Sequence, residues 1–350
     1  MKNLAMNNFF VLLSGEHPTL PKAEVKAILE AENLKFKILD ETLRILKIKA
    51  PNEAYGLINS RGAYSHYCGF EIFQCKALMD EILGLARKVD WSFWLKANET
   101  FAVRVEHVGG GKTKIDGLKL EKEIGGIILN KQPNCRVNLK NPNKIFCGIV
   151  FGEKFVFGLV LEKPRKNFLK RTPRKKPFFH PSSLQPKLAR CMVNLSRASK
   201  QKILLDPFCG TGTILIEAGI LGLESLGCDL RKIMVKGSKI NLAHYKVENA
   251  YVFRADALRL PLTKKIDCIA TDPPYGRAAS TLGVSTQTIL EKFFEKIDEI
   301  MSWKGKICLA SPLKVNVEKM VKAYGFKVLE THTIYVHRTL TREIVVVEKG

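Results

Sequence analysis

The 350-residue chain carries 57 Lys and Arg against 34 Asp and Glu, a formal charge of +23, with 46% hydrophobic residues. That apolar content excludes a disordered polycation, and the length suits two or three domains. No apolar run reaches the roughly 18 residues of a membrane-spanning helix, and Phe9–Leu13 is too short for a secretory leader, which predicts a cytoplasmic protein.

Phe9–Leu13 reads as a strand, and Thr19-Leu20-Pro21 opens a helix running to about Glu32, with Pro21 in the first turn where its missing N–H is no loss. Leu43–Ile48 alternates apolar and basic residues as a half-buried strand does, and Ala77–Val89 has the spacing of an amphipathic helix. Strand Thr100–Val108, a glycine turn, helix Leu118–Leu129 and a β pair from Val137 through Leu161 follow. This alternation predicts two small α+β units in tandem, residues 1–52 and 53–162. Gly109-Gly110-Gly111-Lys112-Thr113 ends like a phosphate loop, but Glu106 stands where the first glycine of that loop belongs, so nucleotide hydrolysis is rejected. Lys112 and Lys114 then read as cations offered to a phosphate backbone.

Between residues 163 and 177, eight of fifteen residues are Lys or Arg and three are Pro. An extended, stiff, cationic linker is expected over 163–179, with Lys170, Arg171, Arg174, Lys175 and Lys176 at nucleic-acid phosphates. Phe178, Phe179 and His180 are expected to pack that linker onto the domain that follows, residues 180–350, in preference to touching a substrate base.

In that domain, Ile203–Asp206 is a strand running into Pro207-Phe208-Cys209-Gly210-Thr211-Gly212-Thr213. Gly210 and Gly212 allow a tight turn and a close approach to a ligand, and Thr211 or Thr213 can cap the next helix. Leu215 replaces the third glycine of a dinucleotide fingerprint, and no phosphate-loop lysine follows. Asp206 instead offers a carboxylate to a cationic amine. Ser225–Asp229 is the next strand, its acid placed for ribose hydroxyls, and Val252–Ala257 another, with Asp256 placed for an adenine amine. Ile266–Thr271 then delivers Asp272-Pro273-Pro274-Tyr275-Gly276 to the same strand ends. The Asp272 carboxylate and the carbonyls of Pro273 and Pro274 can accept the hydrogens of an amine, while Tyr275 can stack on a base. Residues 277–286 are small and polar, as a substrate-ordered lid would be. Helix Thr288–Met301 and strands Lys306–Pro312, Lys327–Tyr335 and Glu343–Glu348 complete the chain. Nine cysteines show no C-x-x-C, which argues against a metal site, and Cys135 and Cys147 would pair only in an oxidising or hyperthermophilic cell.

Residues 203–276 resemble the nucleotide-binding half of a class I, Rossmann-like S-adenosylmethionine methyltransferase, and Asp272-Pro273-Pro274-Tyr275 is similar to the motif of its amine-methylating branch. The segment from His180-Pro181-Ser182-Ser183 through Leu195 resembles the one that precedes the glycine loop in archaeal and eukaryotic tRNA (guanine-10-N2)-methyltransferases, where it borders the cofactor pocket. The N-terminal half looks like the ferredoxin-like unit and THUMP domain of tRNA-modifying enzymes. The resemblance implies an α/β fold with a mostly parallel sheet, its final strand antiparallel and closing the edge. It implies S-adenosylmethionine held by Asp206, Phe208, Gly210, Gly212, Thr213, Asp229, Asp256 and Asp272. The substrate it implies is tRNA, not DNA, methylated once or twice on the N2 amine of guanosine 10. Relatives acting on guanosine 6 usually carry Asn where Asp272 stands. Position 6, ribosomal RNA, and a non-catalytic tRNA-binding role stay open, as do oligomeric state and the small activator subunit that some relatives need.

Overall fold

The computed structural model describes residues 6–110, 115–164, 166–275, 285–338 and 340–350. In chain order the first half comprises β1 (Met6–Leu13), α1 (Leu20–Ala31), β2 (Lys37–Glu41), β3 (Ile45–Pro51), α2 (Glu53–Arg61), β4 (Ser65–Lys76), α3 (Met79–Lys88), α4 (Trp91–Trp94), β5 (Thr100–Val108), α5 (Gly117–Lys131), β6 (Arg136–Val137), β7 (Lys144–Phe151) and β8 (Lys154–Val160). By its contacts the chain divides into two units, one of residues up to Glu16, Leu34–Ser60 and Ser65–Arg165, the other of His17–Asn33, Arg61–Tyr64 and Lys166–Gly350.

All eight strands of the first unit lie in one sheet, ordered β2-β3-β1-β4-β8-β7-β5-β6. The two small units expected to divide at residue 52 therefore share a sheet. Through Lys76 the elements run β-α-β-β-α-β with strands ordered β2-β3-β1-β4, a ferredoxin-like arrangement completed by β4. β1 is flanked by β3 and β4 and is a continuous buried run from Phe9 to Leu13. Beyond β4 the core is aromatic, with Trp91, Phe101, Phe146, Phe155 and Phe157 buried together and the Trp91 indole donating to the Ala86 carbonyl.

The second unit continues with two short 3-10 turns, Phe168–Arg171 and Pro173–Lys175, where an extended linker was expected. Then come α6 (Pro186–Leu195), β9 (Leu204–Asp206), α7 (Thr213–Ile220), β10 (Ser225–Asp229), α8 (Lys232–His244), β11 (Ala250–Arg254), β12 (Ile266–Thr271), α9 (Thr286–Ile297), β13 (Met301–Pro312), α10 (Val317–Ala323), β14 (Phe326–His337) and β15 (Leu340–Lys349). The sheet order is β11-β10-β9-β12-β13-β15-β14, parallel through β13, with β15 antiparallel to both its neighbours. The final strand is antiparallel as expected but does not close the edge. Ile344–Val347 is buried throughout, which suits an interior strand, whereas β14 alternates exposed residues and takes the edge.

Helix α1 belongs with this second unit, because a buried acid ties it there. Glu24 accepts from the Ala63 and Tyr64 amides and from Asn194 Nδ2 of α6, each at 2.8 Å. Arg61 completes the network, donating to Asn194 Oδ1, Glu32 Oε1 and the Ala198 carbonyl. Thr19 sits at the N-cap of α1, but its side chain makes no cap bond; His17 Nδ1 accepts from the Thr19 and Leu20 amides instead. Cys135 and Cys147 do not pair: each is a buried free thiol, and Cys135 donates to the Lys96 carbonyl. Among the described residues no helix is long and apolar enough to cross a membrane, and no cluster of His, Cys, Asp and Glu is gathered as for a metal ion.

Candidate active site

Strands β9 and β12 are neighbours in the sheet and end at Asp206 and Thr271, so the glycine loop and the Asp-Pro-Pro-Tyr run leave the sheet side by side. Ligands of open α/β sheets bind beyond such strand ends. Gly210 and Gly212 have φ of 51° and 78°, and a Cβ at 212 would stand 2.3 Å from Ser238 Oγ, so glycine is required there. Above Gly210 the space is open, with only the Phe208 carbonyl within reach of an added Cβ. Gly212 is the N-cap of α7 and no side chain caps it. The hydroxyls of Thr211 and Thr213, expected to cap, instead meet the ammonium of Lys176.

Asp206 is 2% exposed. Its Oδ1 accepts from Thr271 Oγ1 at 2.8 Å and from the Phe208 amide at 3.3 Å. Burial pushes its carboxyl up to about 7, the two donors pull it back, and the nearby carboxylates of Asp272 and Asp229 add to the rise. A buried acid so poised takes its charge most readily beside a cation. Asp229 ends β10 with Oδ2 accepting from the Gly210 amide and Oδ1 from the Arg231 amide, which ties the glycine loop to the next strand. Asp256 lies past the end of β11, not on a strand, with Oδ1 accepting from the Leu258 amide in a local turn. The Phe208 ring is set against Phe293, 5.8 Å between centroids. An open glycine cradle, a buried acid for an amine, Asp229 at the end of β10 and Asp256 beyond β11 fit the aminoacyl and nucleoside parts of S-adenosylmethionine.

Asp272 follows β12, its side chain 14% exposed. The Tyr275 hydroxyl donates to Asp272 Oδ1, and Arg342 Nη2 stands 3.6 Å from Oδ2. Burial raises the Asp272 carboxyl above its usual range, and Arg342 and the Tyr275 hydroxyl bring it part of the way back. Thr286 Oγ1 donates to the Pro274 carbonyl at 3.3 Å, at the start of α9. The expected lid falls largely on residues 276–284, outside the described residues, as do Lys112 and Lys114.

Two of the linker cations point inward rather than to a substrate. Arg171 grips Glu217 with Nε at 2.6 Å and Nη2 at 3.1 Å, and Arg190 Nη2 reaches the same carboxylate at 2.8 Å. Lys176 is buried against the start of α7, and burial lowers its ammonium to about 8. Lys170, Arg174 and Lys175 are exposed. Phe178 does pack, over Gly237, with its backbone held at both ends by Asn241. Glu217, Arg190 and Arg342 escaped the sequence reading. An acid inside the apolar helix Thr213–Ile220 was a legible signal for the first; Arg342, early in a strand, carries none.

Residues 76–160 match the THUMP domain family, and residues 173–344 match the RMKL-like methyltransferase domain. With the sheet order and the glycine cradle, they define the class: a THUMP-bearing methyltransferase of Rossmann-like fold. TrmN from Thermus thermophilus shares the fold, with a TM-score of 0.53 at 20% identity over 98% of this chain and 100% of that one. The chain is 37% identical over 340 residues to a tRNA (guanine(10)-N2)-dimethyltransferase of Methanothermobacter thermautotrophicus, covering 97% of this chain and 98% of the relative. It is 34% identical to the Pyrococcus abyssi protein of that name, over 97% and 99% of the two chains. It belongs to the tRNA (guanine(10)-N2)-dimethyltransferase family.

Proposed function

We propose that this chain methylates the N2 amine of guanosine 10 in tRNA, first to the N2-methyl and then to the N2,N2-dimethyl nucleoside, in the cytoplasm. The observation that carries the reading is the Asp272–Tyr275 run at the end of β12, joined through Thr271 to the buried acid of the glycine loop. S-adenosylmethionine supplies an electrophilic methyl group on its sulfonium. Asp206 holds the cationic amine, the Gly210–Thr213 loop lets the backbone approach, and Asp229 and Asp256 take hydroxyl and amine hydrogens. A guanine that has left its stack, at a cost of a few kcal/mol, lies on Tyr275. Asp272 and the Pro274 carbonyl accept the N2 hydrogens, which localises the nitrogen lone pair and stabilises the positive charge it gains as it attacks the methyl carbon; the carbon–sulfur bond breaks to leave a neutral thioether, and the surplus proton on nitrogen passes to the Asp272 carboxylate. One hydrogen remains after the first transfer, so a second round needs only room in the pocket. The THUMP unit and the exposed cations Lys170, Arg174 and Lys175 support tRNA as the partner.

The test is nucleoside mass spectrometry, mapped to position, of tRNA incubated with S-adenosylmethionine and the purified chain alone. Dimethylguanosine at position 10 is expected. Label at position 6 only, or in ribosomal RNA only, would overturn the target, and activity appearing only with cell extract would show that an activator subunit is needed. Asp272→Ala is expected to lower turnover by roughly 100- to 10,000-fold while leaving cofactor affinity nearly intact.

A further inference from the structure

Arg342 enters the site from β15, outside every motif of the glycine loop and the Asp-Pro-Pro-Tyr run. Its guanidinium carbon stands 5.2 Å from the centroid of the Tyr275 ring, and its Nη2 is 3.6 Å from Asp272 Oδ2. The second distance is that of an ion pair, longer than a hydrogen bond of about 2.7–3.2 Å. Its Nε is a buried donor with no hydrogen-bond partner. The side chain is therefore held by a ring face and a charge, yet one of its donors is left unsatisfied, a state that favours exchange for a better-fitting group.

The chemistry of that better-fitting group follows from the shape of the guanidinium. It is a flat carbon bearing N–H donors, set over an aromatic ring and directed at a carboxylate. Guanine carries the same unit in its own ring: C2, with N1–H on one side and the exocyclic N2 amine beside it. Adenine and cytosine lack it, because the carbon that bears their amine is flanked by a ring nitrogen that accepts rather than donates. A carboxylate accepts two parallel N–H bonds and donates none, so it suits the guanine edge and not the other two.

We propose that Arg342 is a built-in stand-in for the target guanine: its guanidinium takes the place, on Tyr275 and against Asp272, of the N1–C2–N2 edge of the base, and must swing out for the base to enter. This rests on the function proposed above and adds to it a positioning residue that reserves the site for guanine. While Arg342 is in place Asp272 keeps a counter-charge and Tyr275 keeps a covered face, so the reacting acid is held ready before the substrate arrives. Its contribution to Asp272 agrees with this, since it opposes the rise that burial imposes on that carboxyl.

The test compares wild type with Arg342→Met, which keeps the length and loses the planar donors, and uses methylguanidine as the probe with methylammonium as control. Assayed well above the titration range of the carboxylate, Arg342→Met is expected to show a several-fold lower KM for tRNA, because the base no longer competes with the side chain. Methylguanidine is expected to inhibit the variant competitively with tRNA and to raise its melting temperature, and to do neither to wild type; methylammonium should do neither to either protein. Adding Asp272→Ala to the variant should remove the melting shift. An unchanged or higher KM together with a lower kcat would overturn the proposal, showing that Arg342 acts on the bound base, and so would methylguanidine stabilising both proteins alike. Arg342→Gln carries the same comparison if the Met variant does not fold. Failure of wild type to methylate guanosine would sink the proposed function, while the melting experiment decides the role of Arg342 without turnover.

Discussion

Thr271 Oγ1 donates to Asp206 Oδ1 across 2.8 Å, so the strand that leads into Asp272 also holds the buried acid of the glycine loop. The bond couples the two halves of the site, and it leaves Asp206 Oδ2 free for a cationic ligand. Because burial pushes the Asp206 carboxyl up to about 7, the empty site is only partly charged near neutrality. Binding a cationic amine requires the ionised form. The affinity for S-adenosylmethionine is therefore expected to weaken by up to about tenfold per unit as pH falls below about 7, with proton release on binding in that range. Calorimetric titration in buffers of different ionisation enthalpy measures both. A flat pH profile with no proton release would refute this role for Asp206.

The same raised carboxyl makes the cofactor-free protein sensitive to pH. An unfolded Asp titrates near about 3.9, so between that value and about 7 the native state holds a proton that the unfolded state has lost. Stability due to this group is fully present below the lower value and is lost as pH rises through about 7. Asp206→Asn keeps an oxygen for Thr271 and the Phe208 amide but never ionises. Without cofactor and above pH ~8, it should be more stable than wild type by roughly 2–4 kcal/mol, with weaker cofactor binding. Thermal melts of both proteins across pH should converge in acid; parallel curves would argue against the assignment.

Glu217 holds two arginines that sequence reasoning took for different purposes or overlooked. Its carboxylate is 0% exposed, and Arg171 and Arg190 both pair with it. Glu217→Ala leaves two buried guanidinium groups without their shared counter-charge, at an expected cost of about 3–5 kcal/mol. Urea denaturation reads the loss. A change below about 1 kcal/mol would mean that the arginines find water instead.

The contrast between these residues shows what could be read in the chain. Asp206, Asp229 and Asp272 were legible as candidates because each ends or directly follows a short, largely apolar strand, and a charge there has few purposes other than a turn or a ligand; Asp256, two residues past the edge strand β11, gave a weaker signal. The glycines between them were legible because tight turns restrict what may stand there. Strand Thr100–Val108 appears with its expected bounds. What was hidden depends on partners far along the chain. Arg171 looks like one more cation in a basic stretch until Glu217, 46 residues away, turns it inward. Arg342 meets Asp272 only because β15 inserts beside β13, a pairing that local periodicity does not encode. That β1, β3 and β4 join one sheet across the expected boundary at residue 52 was hidden for the same reason.

Gly212 tests the cradle itself. Its φ of 78° is strained for any residue with a Cβ, and the added atom would lie 2.3 Å from Ser238 Oγ. Gly212→Ala should lower stability by about 1–3 kcal/mol and weaken cofactor binding by shifting the start of α7. Adding Ser238→Ala removes the nearest clashing atom but not the backbone strain, so the double variant should recover part of the stability. Full recovery would show that only packing against Ser238 mattered, and none would show that the backbone conformation dominates.

Lys170, Arg174 and Lys175 are exposed beside the catalytic domain, whereas Arg171 and Lys176 of the same stretch are buried. If the exposed three lie along a tRNA backbone, each neutralised phosphate releases counterions. Replacing all three by Ala should then lower the slope of log affinity against log salt by about 2–3. Its effect should be similar for specific and unrelated tRNAs, because phosphates carry no sequence. Arg171→Ala should act differently, through its ion pair with Glu217: it lowers the melting temperature and leaves the salt slope of the folded fraction unchanged. Anisotropy titrations over a range of salt, with a melt of each variant, separate the two effects. An unchanged slope in the triple variant would remove this segment from the RNA-binding surface and leave the THUMP unit to supply the phosphate contacts.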